Sequence, residues 1–96
     1  MVCVRYIIYT MQFECDPNKS QANKLKHGID FVEAEQLWED PDRLLIPART
    51  QGEARVMLIG KMGLKHWSAI FTYRDDAIRI ISVRRSRKEE VNIYEN

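Results

Sequence analysis

Cationic side chains are concentrated in one part of the chain. Residues 55 to 88 hold nine Lys and Arg against two Asp and Glu, whereas acidic residues are in excess on either side of this segment. Arginine offers phosphoryl oxygens a planar fork of donors and stays protonated, so a basic segment of this density can attract phosphate. Charge alone favours a phosphate-binding surface and a solvated basic face equally.

The sequence lacks the motifs of several hydrolase classes, and its Arg, Lys and His residues favour RNA cleavage without a metal. The sequence has no glycine-rich phosphate loop, no pair of His with metal-ligand spacing and no GxSxG elbow, which disfavours nucleotide, zinc and serine hydrolysis. RNA carries its own nucleophile, the 2′-hydroxyl. A protein need only deprotonate it, stabilise charge at phosphorus and protonate the leaving 5′-oxygen. Arginine suits the second task, while His, or Lys with its pKa lowered by neighbouring cations, suits proton transfer.

Two candidates for proton transfer lie at the end of one predicted helix. His27 precedes Gly28, where an imidazole can also interact with the last helix carbonyls, and Lys26 can be a solvated helix residue. The roles of base and acid stay open between them. A further group of cationic residues precedes a predicted helix start. Cations are unfavourable near the N-terminal end of a helix dipole, so their presence there favours a functional role. The group comprises Arg84, Arg85, Arg87 and Lys88.

The residues before the basic segment predict two consecutive helices. The Asp-Pro pair at 16–17 predicts a helix start, and Gly28 predicts its end in a left-handed conformation. Asp30 with Glu33 predicts a capping box at the start of a second helix, which the Asp-Pro pair at 40–41 ends. The predicted buried stripe of this helix comprises Phe31, Ala34, Leu37 and Trp38.

The rest of the chain predicts strands and one more helix. A hairpin turns at Asp75 and Asp76, and Ser86 with Glu89 predicts the capping box of a C-terminal helix. We therefore predict an α+β fold, with an antiparallel sheet of four or so strands, two N-terminal helices packed on one face and a short C-terminal helix. The predicted strands are residues 11–15, 44–46, 55–60, 66–74 and 77–84.

Alternation along the hairpin predicts which side chains share a face. If Arg74 pairs with Ala77, the core face carries Trp67, Ala69, Phe71, Tyr73, Ile78, Ile80 and Ser82. The opposite face is too polar for an interior, and we predict that it binds a ligand. It carries Ser68, Ile70, Thr72, Arg74, Ala77, Arg79, Ile81, Val83 and Arg85. Arg84 then lies on the core side, unless a one-residue bulge exchanges the assignments.

Length and composition limit the organisation. The 96 residues predict a single domain, and no segment has the roughly 20 apolar residues of a membrane span or the pattern of a secretory leader. We therefore expect a cytoplasmic protein. Cys3 and Cys15 lack disulfide-framework or zinc-site spacing and are expected to be small apolar fillers, and we expect no metal or other cofactor.

Several of these residues together resemble a known family. Residues 13–16, the KHG at 26–28 and residues 31–34 are similar to the opening of BrnT-type toxins. Residues 53–60 resemble the ERxxxIG strand of that family, and residues 77–85, AIRIISVRR, with Glu90 and Tyr94 resemble its hairpin arm and terminal helix. The similarity covers about residues 11–96. Cys15 stands where the family usually has Trp, and residues 1–10 have no counterpart, which makes them an upstream-start artefact or an added edge strand.

The resemblance implies a RelE-like fold and an endoribonuclease that stops growth by degrading RNA. It also implies a BrnA-type antitoxin whose ribbon-helix-helix part binds the operon DNA, so that the toxin meets DNA only through its partner. The implied catalytic set is Lys26, His27, Arg55, Arg79, Arg84 and Arg85. The residues expected to bind RNA are Glu53, Arg74, Tyr94, Arg87 and Lys88.

Two other functions stay open at this stage. The same face could serve a non-catalytic module that binds RNA or an antitoxin, in which case binding would occur without turnover. The chain could also be part of a DNA-binding repressor complex, although no recognition-helix pattern with exposed basic spacing is evident.

Overall fold

Local capping signals determine where the first two helices begin and end. The computed structural model of the chain describes residues 3–6, 12–48 and 52–96. Helix α1 (Pro17–His27) begins after Asp16, whose side chain accepts from the backbone N–H of Asn18, and ends at Gly28, which has a φ of 82°. Helix α2 (Phe31–Ala34) begins at the capping box predicted for Asp30 and Glu33. Both predicted starts and the glycine stop are confirmed.

The second predicted helix is built from two kinds of turn. After α2 the chain tightens into a 3₁₀ helix (Glu35–Glu39), which ends at Asp40. The predicted stripe of Phe31, Ala34, Leu37 and Trp38 is nevertheless buried in full. Trp38 lies edge-on between Phe13 and Phe71, with ring centroids 5.0 and 5.1 Å apart. This aromatic cluster joins the helical layer to the sheet.

The sheet has six strands rather than the four or so predicted from the sequence. Its order is β1-β2-β6-β5-β4-β3. All neighbouring strands are antiparallel except β2 and β6, which are parallel. The sheet is therefore mixed, because the chain passes through both N-terminal helices and three strands before β6 returns beside β2. The strands are β1 (Cys3–Tyr6), β2 (Gln12–Cys15), β3 (Leu44–Ala48), β4 (Arg55–Met62), β5 (Lys65–Arg74) and β6 (Ala77–Arg85).

The N-terminal extension contributes an edge to this sheet. Cys3–Tyr6 pairs antiparallel with β2, which is the arrangement of an added edge strand. The opposite edge is β3, which includes Pro47, a residue compatible with an edge strand because it cannot donate to a further neighbour. The predicted start of the initial strand, Met11, lies outside the described residues, as do residues 1–2, 7–10 and 49–51.

The hairpin of β5 and β6 has the predicted turn but a different register beyond it. Asp75 and Asp76 both have positive φ, 50° and 67°, as a tight two-residue turn with matching strand twist requires. The predicted pairing holds from Arg74 opposite Ala77 to Phe71 opposite Ile80. Ile70 is then opposite Ser82, so Ile81 is an extra residue in a bulge.

The bulge corrects the predicted faces of the second half of β6. Ile80 and Val83 are three residues apart and would lie on opposite faces of a regular strand, yet both are buried in the core. The extra residue at the bulge allows this, since it reverses the alternation after Ile81. Val83 and Arg85 therefore lie on the core face, whereas Ser82 and Arg84 lie on the opposite face. The prediction was wrong for these four residues.

The C-terminal helix packs on the sheet face opposite the other helices. Helix α3 (Lys88–Glu95) contacts Ser68, which lies opposite Arg84 on the face away from the core. Its cap differs from the predicted pair, since the N-cap residue is Arg87 and its backbone N–H donates to Glu90. The cap shifts by one residue because Glu90 is the carboxylate that turns toward the sheet, where Arg84 and Ser68 bind it.

Candidate functional site

Three arginines and one threonine share the part of the sheet that α3 leaves uncovered. Arg79 of β6 is opposite Thr72 of β5, and Arg74 follows two residues after Thr72, so it projects to the same side. The register that pairs Val56 with Phe71 places Arg55 of β4 beside Thr72 on its other flank. We call Arg55, Thr72, Arg74 and Arg79 the arginine face.

The short side chain of Thr72 lies between the long cationic side chains of Arg55 and Arg79. Its hydroxyl donates to the carbonyl oxygen of Ala54 at 2.7 Å and is buried. Adjacent strands are about 4.8 Å apart, so the backbones of Arg55 and Arg79 are separated by roughly 10 Å across Thr72. Two guanidinium groups at that separation can both reach a phosphate held above the threonine.

Arg55 has the most exceptional hydrogen bonding of the face. Its Nε is buried and has no hydrogen-bond partner among the described residues. A buried N–H of a charged group is costly to leave unsatisfied.

The other two arginines of the face have carboxylate partners. Arg79 Nη1 lies 3.2 Å from Glu14 Oε1, and the side chains are only 20% and 16% exposed. Arg74 Nη2 lies 3.6 Å from Glu53 Oε2, in a pair that is about half exposed and therefore weak. Two of the residues predicted to bind RNA, Arg74 and Glu53, thus contact each other.

Arg84 lies on the same side of the sheet but is held by α3. Its Nη1 and Nη2 each donate to one carboxylate oxygen of Glu90, both at 2.8 Å. Glu90 also accepts from the Ser68 hydroxyl and from the backbone N–H of Arg87. The hydrogen bonds from Arg84 lower the pKa of Glu90 to about 2, despite the opposing effect of burial. This arginine is therefore engaged in attaching the helix.

Tyr94 is also occupied by a contact within the protein. Its hydroxyl donates to Asp40 Oδ2 at 2.7 Å, and burial together with that carboxylate raises the pKa of Tyr94. Asp40 further accepts from the backbone N–H of Lys61 and of Asp42. His66 lies edge-on to the Tyr94 ring and contacts Glu95 at 2.6 Å. These contacts fix the end of α3 against β4 and β5.

Three predicted catalytic residues lie on the helical side of the sheet, away from the arginine face. Lys26 and His27 form the last turn of α1, and Arg85 lies over the ring of Trp67 at 5.6 Å. The end of α1 is positioned by Asn23, whose amide group bonds to the backbone N–H and carbonyl of Val83. A cleft of about 260 Å³ opens beside this group and is lined by Gly28, Ile29, Glu33, Gln36, Met62 and Trp67.

The structure thus divides the predicted site residues between different parts of the fold. Arg55, Arg74 and Arg79 are brought together, with Glu53 beside Arg74, while Arg84 and Tyr94 hold α3. Arg87 and Lys88 are exposed at the start of α3. Among residues 3–6, 12–48 and 52–96, no three His, Cys, Asp or Glu side chains gather as a metal site, and no helix is long and apolar enough to cross a membrane.

Sequence reasoning missed Glu14 and Glu90 as partners of the predicted arginines. The alternation of buried Phe13 and Cys15 indicates that Glu14 projects from the other side of β2. The alternation along β2 can be read from the sequence, but the identity of the strand that pairs with β2 cannot. That strand lies more than 60 residues later in the chain. The sequence signal for Glu90 was limited to its match to the terminal helix of BrnT-type toxins.

Comparison with known proteins provides the family. A search of curated proteins finds no match to this chain. The family model described as "Ribonuclease toxin, BrnT, of type II toxin-antitoxin system" matches residues 15–90, which include every arginine of the arginine face. The match spans more than half of the chain and agrees with the motifs that the sequence analysis identified. The chain belongs to the BrnT family of ribonuclease toxins of type II toxin–antitoxin systems.

Proposed function

We propose that the arginine face is where this toxin binds and cleaves RNA, as an endoribonuclease that needs no metal ion. The observation that carries the proposal is the placement of Arg55 and Arg79 on either side of buried Thr72. Arg74 extends the cationic surface along β5. A ribonuclease must stabilise negative charge at phosphorus, and this group can do so.

The chemistry follows from RNA itself. A phosphate bound between Arg55 and Arg79 would have its charge balanced as the 2′-hydroxyl oxygen attacks phosphorus and the bond to the 5′-oxygen breaks. Guanidinium groups remain protonated throughout and can contact two phosphoryl oxygens each. Arg84 has no part in this step in the proposal, because both of its terminal nitrogens are bound by Glu90.

The experiment is cleavage of single-stranded RNA by purified protein in EDTA. The proposal predicts internal cleavage that yields 2′,3′-cyclic phosphate ends, and no cleavage of the same sequence made with 2′-O-methyl riboses. Cleavage that requires an added divalent ion would contradict metal independence. RNA binding without turnover at any protein concentration would instead favour the non-catalytic module.

The antitoxin that a type II system requires is proposed to be of the BrnA type and to cover the same face in the cytoplasm. Partly buried apolar side chains, Met57 and Ile70, lie next to the arginines, so a segment with acidic and apolar side chains would complement this surface. In this arrangement the toxin meets operon DNA only through its partner. Slower solvent exchange of the Arg79 guanidinium in the complex would support coverage, and unchanged exchange would count against it.

A further inference from the structure

Glu14 is a carboxylate at the border of the arginine face. It lies on β2, in register with Arg79 of the parallel neighbour β6. Its Oε1 is 3.2 Å from Arg79 Nη1, and its side chain is largely buried. The contact with Arg79 therefore uses Oε1 of the carboxylate, not Oε2.

Four adjacent strands align Glu14 with the residues proposed to bind phosphate. The order across the sheet is β2, β6, β5 and β4, and the residues in line are Glu14, Arg79, Thr72 and Arg55. Each step is about 4.8 Å. A phosphate bound to the Arg79 guanidinium would therefore lie next to the Glu14 carboxylate, because these two side chains are in contact.

The other proton-transfer groups in the described residues lie farther from this line. His66 lies at the opposite end of β5, where it contacts Glu95 and the Tyr94 ring. His27 is at the end of α1, on the helical side of the sheet. Glu53 is exposed and lies 3.6 Å from Arg74. Glu14 combines a shielded position, a fixed orientation and proximity to Arg79.

We propose that Glu14 is the general base of the cleavage reaction, an inference that rests on the proposed function of the arginine face. Oε2 of Glu14 takes the proton from the 2′-hydroxyl while the 2′-oxygen forms a bond to phosphorus. The bond from phosphorus to the 5′-oxygen breaks, which leaves a 2′,3′-cyclic phosphate and a 5′-oxygen that takes a proton from water. The Glu14 carboxylic acid then returns its proton to solvent.

The test measures single-turnover cleavage of RNA in EDTA as a function of pH, for the wild type and Glu14→Gln. Glutamine keeps an acceptor oxygen for Arg79 but cannot take up a proton from the 2′-hydroxyl. The expected result is a rate lower by roughly 10² to 10⁴ with the acid limb of the pH–rate profile abolished. Affinity for a 2′-O-methyl RNA of the same sequence should be unchanged or tighter, since a negative charge is removed.

Two further variants complete the design. Glu33→Gln removes another ion-paired carboxylate, on the helical side, and keeps a capping side chain, so its rate and profile should match the wild type. Glu14→Asp withdraws the carboxylate from the ribose but keeps it ionisable, so the rate should fall while the acid limb persists.

Three results would overturn the assignment of Glu14. They are a Glu14→Gln rate equal to that of the wild type, a reduced rate with the wild-type acid limb, and a Glu14→Asp rate equal to that of the wild type. Each presupposes that the wild type cleaves RNA in EDTA. If the wild type does not cleave, the proposed function is refuted and the assignment of Glu14 falls with it. If the wild type cleaves and one of the three results is found, only the assignment of Glu14 is refuted.

Discussion

Arg84 and Glu90 form a two-pronged ion pair, with Nη1 to Oε1 and Nη2 to Oε2 both 2.8 Å. The pair joins the end of β6 to the first turn of α3, and the Ser68 hydroxyl adds a third link from β5. A residue that the family resemblance placed in the catalytic set therefore has a structural explanation. The arginine face lies on the same side of the sheet, on the part that α3 does not cover.

Stability should depend on the Glu90 carboxylate in acid. Its pKa in the folded state is about 2, against an ordinary value of 4.5, so the unfolded chain binds its proton first as the pH falls. The contribution is complete above about 4.5 and is lost as the pH falls toward 2. It is on the order of 3 kcal/mol.

Chemical denaturation of the wild type and Glu90→Gln at several pH values would measure this contribution. The free energy of unfolding of the two proteins should differ at neutral pH and converge in acid. Glu89→Gln, an exposed neighbour on α3, is the matched control and should follow the wild type. A difference between wild type and Glu90→Gln that is constant with pH would contradict the role of the ionised pair.

The position of α1 should depend on Asn23. Asn23→Ala removes bonds from the side chain to the carbonyls of Ile29 and Val83, at 2.8 and 2.9 Å, and one from the Val83 N–H. Since these backbone groups are buried, we expect a loss of about 3 kcal/mol in the free energy of unfolding. Asn18→Ala on the same helix is exposed and should cost under about 0.5 kcal/mol. Equal losses for the two variants would show that Asn23 does not anchor the helix.

Tyr94 should matter for stability rather than for RNA binding. Tyr94→Phe removes the hydrogen bond to Asp40 and retains the ring against His66, so thermal unfolding should reveal a loss of about 1 kcal/mol. RNA affinity and cleavage rate should be unchanged, because the hydroxyl already has a partner within the protein. An RNA affinity that falls without a change in stability would return Tyr94 to the binding surface.

The elements that the sequence predicted correctly depend on near neighbours in the chain. The helix start at Asp16, the stop at Gly28, the Asp30–Glu33 box and the Asp75–Asp76 turn each involve a few consecutive residues. The features that were mispredicted depend on distant contacts. The bulge at Ile81 follows from burying Val83 under α1. The sheet is mixed rather than antiparallel because β2 pairs parallel with β6, a strand more than 60 residues later in the chain.

The candidate site shows the same division. The concentration of cations and the alternation of the hairpin correctly placed Arg74 and Arg79 together on one face with Thr72. The sequence could not determine that Arg84 would be bound by Glu90, nor that Glu14 would lie beside Arg79, since both contacts require the assembled sheet. Composition and alternation therefore predicted a cationic face, whereas tertiary contacts determined which charged residues border it and which are held elsewhere.

The most direct test of the central claim is the initial rate of RNA cleavage in EDTA by Arg79→Ala, compared with Arg43→Ala. Arg43 is an exposed arginine that contacts the Asp40 carbonyl, far from the arginine face in the fold. The account predicts a loss on the order of 10² to 10³ for Arg79→Ala, with the protein still folded, and no loss for Arg43→Ala. Undiminished cleavage by folded Arg79→Ala would contradict the assignment of this face as the active site.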